Sequence, residues 1–174
     1  LMQKLNPETS NFAFANIDAA ANFVRMPSKS GRMELAGGLE ISGYLRDSLL
    51  LADHRQFLDD LWPRIQNPER QPISVGDAIR LNGDWTLLVS EAGTLVKENP
   101  WEACLDAVKA INLYLGSFTS GDRFAPLGMG GKSIKLGDYW TNEGLPRRAR
   151  ATWPLVRSGD EVVWIPGFAI NENY

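Results

Sequence analysis

Apolar and polar positions change their period several times along the chain, and each change marks an element. Ile17 to Met26 is alanine-rich and free of breakers, so it reads as a short helix ended by Pro27. Two alternating runs follow, Arg32 to Ala36 and Leu39 to Leu45, separated by Gly37-Gly38, the pattern of a β-hairpin. Leu49 to Ala52 predicts a third strand after a turn around Asp47-Ser48. Pro63, Pro68 and Pro72 lie among polar residues, and prolines at that density interrupt helices and strands, so residues 63–72 are expected to be a linker. Beyond it, Ala78–Leu81, Trp85–Val89 and Glu161–Ile165 are short β-type runs, with turns at Asn82-Gly83-Asp84 and Ser158-Gly159-Asp160. Trp101 to Leu115 fits a helix by composition, or two strands if it breaks near Ala107–Ala110. Ser133 to Glu143 predicts a short helix stopped by Gly144 and Pro146, weakened by about 1 kcal/mol at Gly137.

Composition narrows the class. At 44% hydrophobic and 22% charged residues, the 174-residue chain fits a globular protein of one large or two small domains. No apolar run approaches the roughly 20 residues of a membrane span, and no secretory signal is present. The single Cys104 excludes an internal disulfide framework or a multi-cysteine metal site and is compatible with a reducing cytoplasm. The first residue is Leu1 rather than methionine, as expected of a fragment of something longer.

Charge is unevenly spread. Gly121 to Arg150 holds six basic residues and three acidic ones, so this stretch carries +3 while the remainder carries −6 of the net −3. That argues against a globally basic nucleic-acid binder and for one local anion-binding face, with a solvated loop as the alternative. Lys132 and Lys135, three apart at the start of the expected helix, would share one face. Arg147, Arg148 and Arg150 form the densest cluster; they could clamp phosphates bidentately or pair with Asp138 or Glu143. Arg123 completes the set, and Trp140 is the best placed of six tryptophans to stack on a base, although core packing is the commoner fate of such a ring.

Other chemistry is thin. Gly128-Met129-Gly130-Gly131-Lys132-Ser133 resembles a nucleotide phosphate loop, but Pro126 stands where its first glycine would be. A turn whose amides and lysine meet a nucleic-acid phosphate is the better reading. His54 is expected to be solvent-exposed at a strand end, Asp59-Asp60 to be charged surface, and Cys104 to be buried and unreactive. No Ser/His/Asp constellation can be assembled, which leaves a hydrolase without catalytic residues.

The order Gly121-Asp122-Arg123-Phe124-Ala125-Pro126-Leu127-Gly128-Met129, Lys132-Ser133-Ile134-Lys135-Leu136-Gly137-Asp138, Leu145-Pro146-Arg147-Arg148-Ala149-Arg150, Trp153-Pro154 and Val163-Trp164-Ile165-Pro166-Gly167-Phe168 resembles the C-terminal region of the tRNA(Ile)-lysidine synthase family, bacterial ligases once labelled MesJ-type cell-cycle proteins. The segment Gly31 to Ile41 is similar to that family's middle, substrate-recognising domain. The resemblance implies an α+β chain in which residues 1–62 form a helix-plus-hairpin domain. Residues 63–72 are then the linker, and residues 73–174 a β-rich, sandwich-like domain with a short helix, related to a domain of phenylalanyl-tRNA synthetase β chains. It implies strands at Trp101–Asp106 and Asn112–Phe118. It implies docking of tRNA(Ile) through Arg123, Lys132, Lys135, Arg147, Arg148 and Arg150. Lysidine formation at an anticodon cytidine, with ATP and Mg, would fall to an N-terminal catalytic domain whose Ser-Gly-Gly-x-Asp-Ser pattern does not occur here. No catalytic residue, cofactor or metal is expected in this chain itself, its location is expected to be cytoplasmic, and its oligomeric state, a homodimer included, is left open. A protein-interaction or assembly module of a multidomain ligase is the alternative function.

Overall fold

The computed structural model describes residues 14–25, 31–44, 48–53, 61–92 and 99–174. Its elements are mostly strands with few helices, an α+β arrangement as expected. They divide into two compact units. The first draws on the first 58 positions together with Tyr139–Arg148, and the second on Asp59–Asp138 and Ala149–Tyr174.

In the first unit, helix α1 (Phe14–Arg25) precedes β1 (Arg32–Glu34), β2 (Leu39–Tyr44) and β3 (Ser48–Asp53), an antiparallel sheet in the order β1-β2-β3. The hairpin turns where the sequence predicts, because Gly37 (φ 74°) and Gly38 (φ 77°) take the left-handed conformation that other residues avoid. Ala20 of α1 joins Leu35, Leu39 and Ile41 in one apolar cluster, with Phe23 packed against it.

The second unit is built on a five-stranded antiparallel sheet in the order β12-β11-β10-β7-β4. Its strands are β4 (Gln71–Pro72), β7 (Leu113–Gly116), β10 (Leu155–Ser158), β11 (Glu161–Ile165) and β12 (Ala169–Ile170). The hairpin β5 (Ala78–Arg80) and β6 (Thr86–Leu88) supplies Ile79 and Leu87 to the core, which also holds Leu115, Val156, Val163 and Trp164. A register shift between Val156 and Arg157 lets Val163 and Trp164 both join that core while Arg157 stays paired with Val162. The ribbon of β8 (Arg123–Phe124) and β9 (Ile134–Lys135) buries Phe124, and β9 runs directly into helix α2 (Leu136–Asn142), whose first residue, Leu136, is fully buried. Arg147–Arg150 forms a single turn, α3.

Four local expectations change. The proline-dense stretch, read as a linker, is packed: Trp62 and Ile65 are buried, and Ile65 N–H donates to the Thr152 carbonyl at 2.9 Å. Pro72 sits on the edge strand β4, where a missing N–H is tolerated. Trp101–Asp106 is not a strand; Trp101 instead stacks against Trp85 at 4.8 Å between ring centroids. Ala103 and Leu105 pack on the core, which turns Cys104 outward, so the thiol is exposed and not buried. The helix expected from Ser133 begins only at Leu136, because Ile134 and Lys135 pair with Phe124 and Arg123. His54 and Asp59-Asp60 lie outside the described residues.

Candidate functional site

The β8–β9 ribbon sets the chemistry of its surface by register. Arg123 stands directly opposite Lys135, and Phe124 opposite Ile134. Side chains on a strand alternate, so burying Phe124 forces Arg123 and Lys135 out together on the other face. Like charges placed directly across a ribbon repel. Among the described residues no carboxylate forms an ion pair with Arg123, Lys132 or Lys135. Arg123 is held by neutral partners: its Nε donates to Ser133 Oγ at 3.0 Å and its guanidinium to the Ser133 carbonyl at 2.7 Å. Lys132 is exposed in the turn preceding β9, not on a helix face with Lys135.

That turn is pinned from elsewhere. Gly131 (φ 74°) donates its N–H to a Glu172 carboxylate oxygen at 2.8 Å, and the Leu127 N–H bonds to the Ile170 carbonyl at 2.9 Å. A two-residue strand follows the glycines where a nucleotide-binding loop would open a helix, and a carboxylate already occupies the Gly131 amide. This loop does not fit the phosphate cradle of a nucleotide. Among the described residues no group of three or more metal-ligating side chains comes together either.

An open cleft of ≈ 460 Å³ adjoins the ribbon. Arg123, Gly131 and Ser133 line it from the ribbon and its loop, Asp160 and Glu161 from the β10–β11 turn. Glu161 also accepts the Tyr174 hydroxyl at 2.8 Å; burial first, then this carboxylate, raises the Tyr174 pKa above its ordinary value.

The arginine-rich turn behaves differently. Arg148, in the first unit, reaches the Glu40 carboxylate at 3.7 Å, and Arg32 reaches the same carboxylate at 3.1 Å. Arg150 donates to the Gly137 carbonyl at 3.3 Å, and Arg147 is exposed. Among the described residues the ion pair seen at this turn is that of Arg148 with Glu40, not one with Asp138. Trp140 is 0% exposed, so its ring offers no face for stacking on a base. The sequence reading missed Asp122 and Arg157, whose side chains form a buried ion pair in the second unit. The available signal was a lone arginine in the apolar run Leu155-Val156-Arg157.

Comparison with known proteins shows what parts of the chain are similar to. Residues 115–174 match the family described as the TilS substrate C-terminal domain. A tRNA(Ile)-lysidine synthase of Caldanaerobacter subterraneus is 39% identical over 69 residues, 40% of this chain and 14% of that protein. The synthase of Dehalococcoides mccartyi is 33% identical over 67% of this chain and 25% of its own length, and that of Geobacter sulfurreducens 27% identical over 92% and 33%. The chain thus spans a third or less of these relatives. The crystal structure of a TILS C-terminal domain shares the fold, with a TM-score of 0.52 at 21% identity over 60% of this chain and 82% of that one. The chain's likeness is therefore to the C-terminal region of lysidine synthases. Among the described residues no helix is long and apolar enough to cross a membrane.

Proposed function

We propose that this chain is the tRNA-recognition part of a tRNA(Ile)-lysidine synthase. It docks tRNA(Ile) so that a catalytic domain elsewhere in the enzyme, using ATP and Mg, can form lysidine at an anticodon cytidine. The observation that carries this reading is the Arg123–Lys135 pair, two exposed cations facing each other across the ribbon with Lys132 in the adjoining turn, none of them in an ion pair among the described residues. Such an arrangement suits the phosphates of an RNA helix, which fix position without reading sequence. The relatives' names support the choice of RNA.

Each neutralised phosphate releases a counterion, so log affinity for tRNA should fall with log salt by roughly 0.7–0.9 per contact. A salt titration with tRNA(Ile), and with a noncognate tRNA as control, tests this; a flat response overturns it. The assembly-module reading draws on Leu127 and Met129, exposed on the glycine loop. Arg123→Ala, Lys132→Ala and Lys135→Ala together separate the two. Loss of tRNA binding supports recognition; unchanged tRNA binding supports assembly.

A further inference from the structure

We propose that the buried Asp122–Arg157 ion pair is a positioning device that aims Arg123 and Lys135 at one stretch of phosphate backbone. Its use rests on the tRNA-docking reading; its geometry does not.

The side chains of Arg157 and Asp122 are 7% and 9% exposed. Arg157 lies on β10, inside the sheet, opposite Tyr114 of β7. Room for it is made by Gly116, where an added Cβ would lie 3.3 Å from Arg157 Cδ and 3.0 Å from Tyr114 Cε2. The guanidinium donates to the Asp122 carboxylate and, at 3.3 Å, to the Asp160 carbonyl. The same carboxylate accepts the Thr119 N–H at 2.8 Å. The Asp122 carbonyl accepts the Leu136 N–H at 2.9 Å. Asp122 is therefore fixed by its side chain to the sheet and by its backbone to the residue after Lys135. Arg123 follows it in sequence and faces Lys135 across the ribbon.

A ribbon of two residues per strand is too short to hold its own geometry, and two facing cations work against it. Burying Phe124 and Leu136 anchors one face of this region to the core. The ion pair fixes the remaining freedom, the direction in which the ribbon points. Apolar side chains would fill the same space at equal or better stability. A directional, charged strut fits a demand for orientation that apolar packing does not meet.

The test uses Asp122→Asn, which preserves size and an acceptor for Thr119 but removes the charge, and Arg157→Lys, which preserves the charge. Circular dichroism first establishes that both fold. Nitrogen relaxation of the Arg123 Nε–H is read without RNA, and the salt dependence of tRNA(Ile) binding is read with it. Asp122→Asn is expected to loosen the Arg123 side chain, weaken tRNA binding about three- to tenfold and lower the salt slope by about one contact. Arg157→Lys should recover most of both. If Asp122→Asn lowers only the melting temperature, with Arg123 order and salt slope unchanged, the pair is merely structural and the proposal is overturned. If wild-type chain shows no salt-dependent tRNA binding, the docking reading falls, and the Arg123 relaxation alone decides the positioning claim.

Discussion

Two groups of cations on this chain share a composition and differ in what they face. Arg32 and Arg148 converge on one carboxylate, Glu40, whose side chain is only 8% exposed. Arg123 and Lys135 face each other across the ribbon, and the guanidinium of Arg123 is held by the hydroxyl and carbonyl of Ser133. The first group has its counter-charge built in. The second is arranged as though its counter-charge arrives from outside. The densest basic run, Arg147 to Arg150, contains the exposed Arg147 beside a residue paired with Glu40 and another donating to the Gly137 carbonyl, while the sparser ribbon presents its cations outward.

The contrast can be broken most strongly by charge reversal. Arg123→Glu with Lys135→Glu should weaken tRNA(Ile) binding by a hundredfold or more at low salt, on the order of 3 kcal/mol at 1.4 kcal/mol per tenfold, with the circular dichroism spectrum unchanged. Filter binding checks it. Glu40→Ala should act in the opposite sense. Two arginines lose their shared acceptor, so unfolding free energy should fall by about 1–3 kcal/mol in a denaturant titration, while tRNA affinity stays within about twofold.

Much of the fold was legible because it rests on local patterns. The first hairpin follows from alternation around Gly37-Gly38, and α1 from its alanines. The failures share a physical cause, namely partners distant in sequence. Ile134 and Lys135 leave the expected helix because a strand ten residues earlier captures them. Trp101–Asp106 is held by Trp85 and Trp153 around Trp101 and by the Asp106 N–H on the Tyr174 carbonyl rather than by a ladder. Of the proposed site, Arg123, Lys132 and Lys135 follow from charge and family resemblance, which point equally to Arg147, Arg148 and Arg150. Their registration, the diversion of Arg148 to Glu40 and the Asp122–Arg157 strut depend on contacts that spacing does not encode.

Smaller effects sharpen the same contrast. Trp140→Phe should leave tRNA affinity unchanged within about twofold, because the ring is sealed in the interior; fluorescence titration of both forms checks this. At the acidic rim of the cleft, Glu161→Gln should lower the Tyr174 pKa back toward the ordinary tyrosine value, since the Glu161 carboxylate helps raise it. A raised folded-state pKa stabilises fully below the unfolded value of about 10 and is lost as pH rises through the folded value. The folded Glu161→Gln variant should therefore develop Tyr174 tyrosinate absorbance at lower pH than the wild type, and its stability should depend less on pH above about 10.

The central claim is that outward cations, not abundant ones, hold the RNA. Its most direct test compares two double variants that each remove two positive charges, Arg123→Ala with Lys135→Ala and Arg32→Ala with Arg148→Ala, in parallel salt titrations of tRNA(Ile) binding well below their melting temperatures. The account predicts that the ribbon variant lowers the log–log slope by roughly 1.4–1.8, two contacts' worth, while the Glu40-paired variant keeps the wild-type slope. Equal losses in the two variants, or a loss confined to the Arg32 and Arg148 variant, would contradict it.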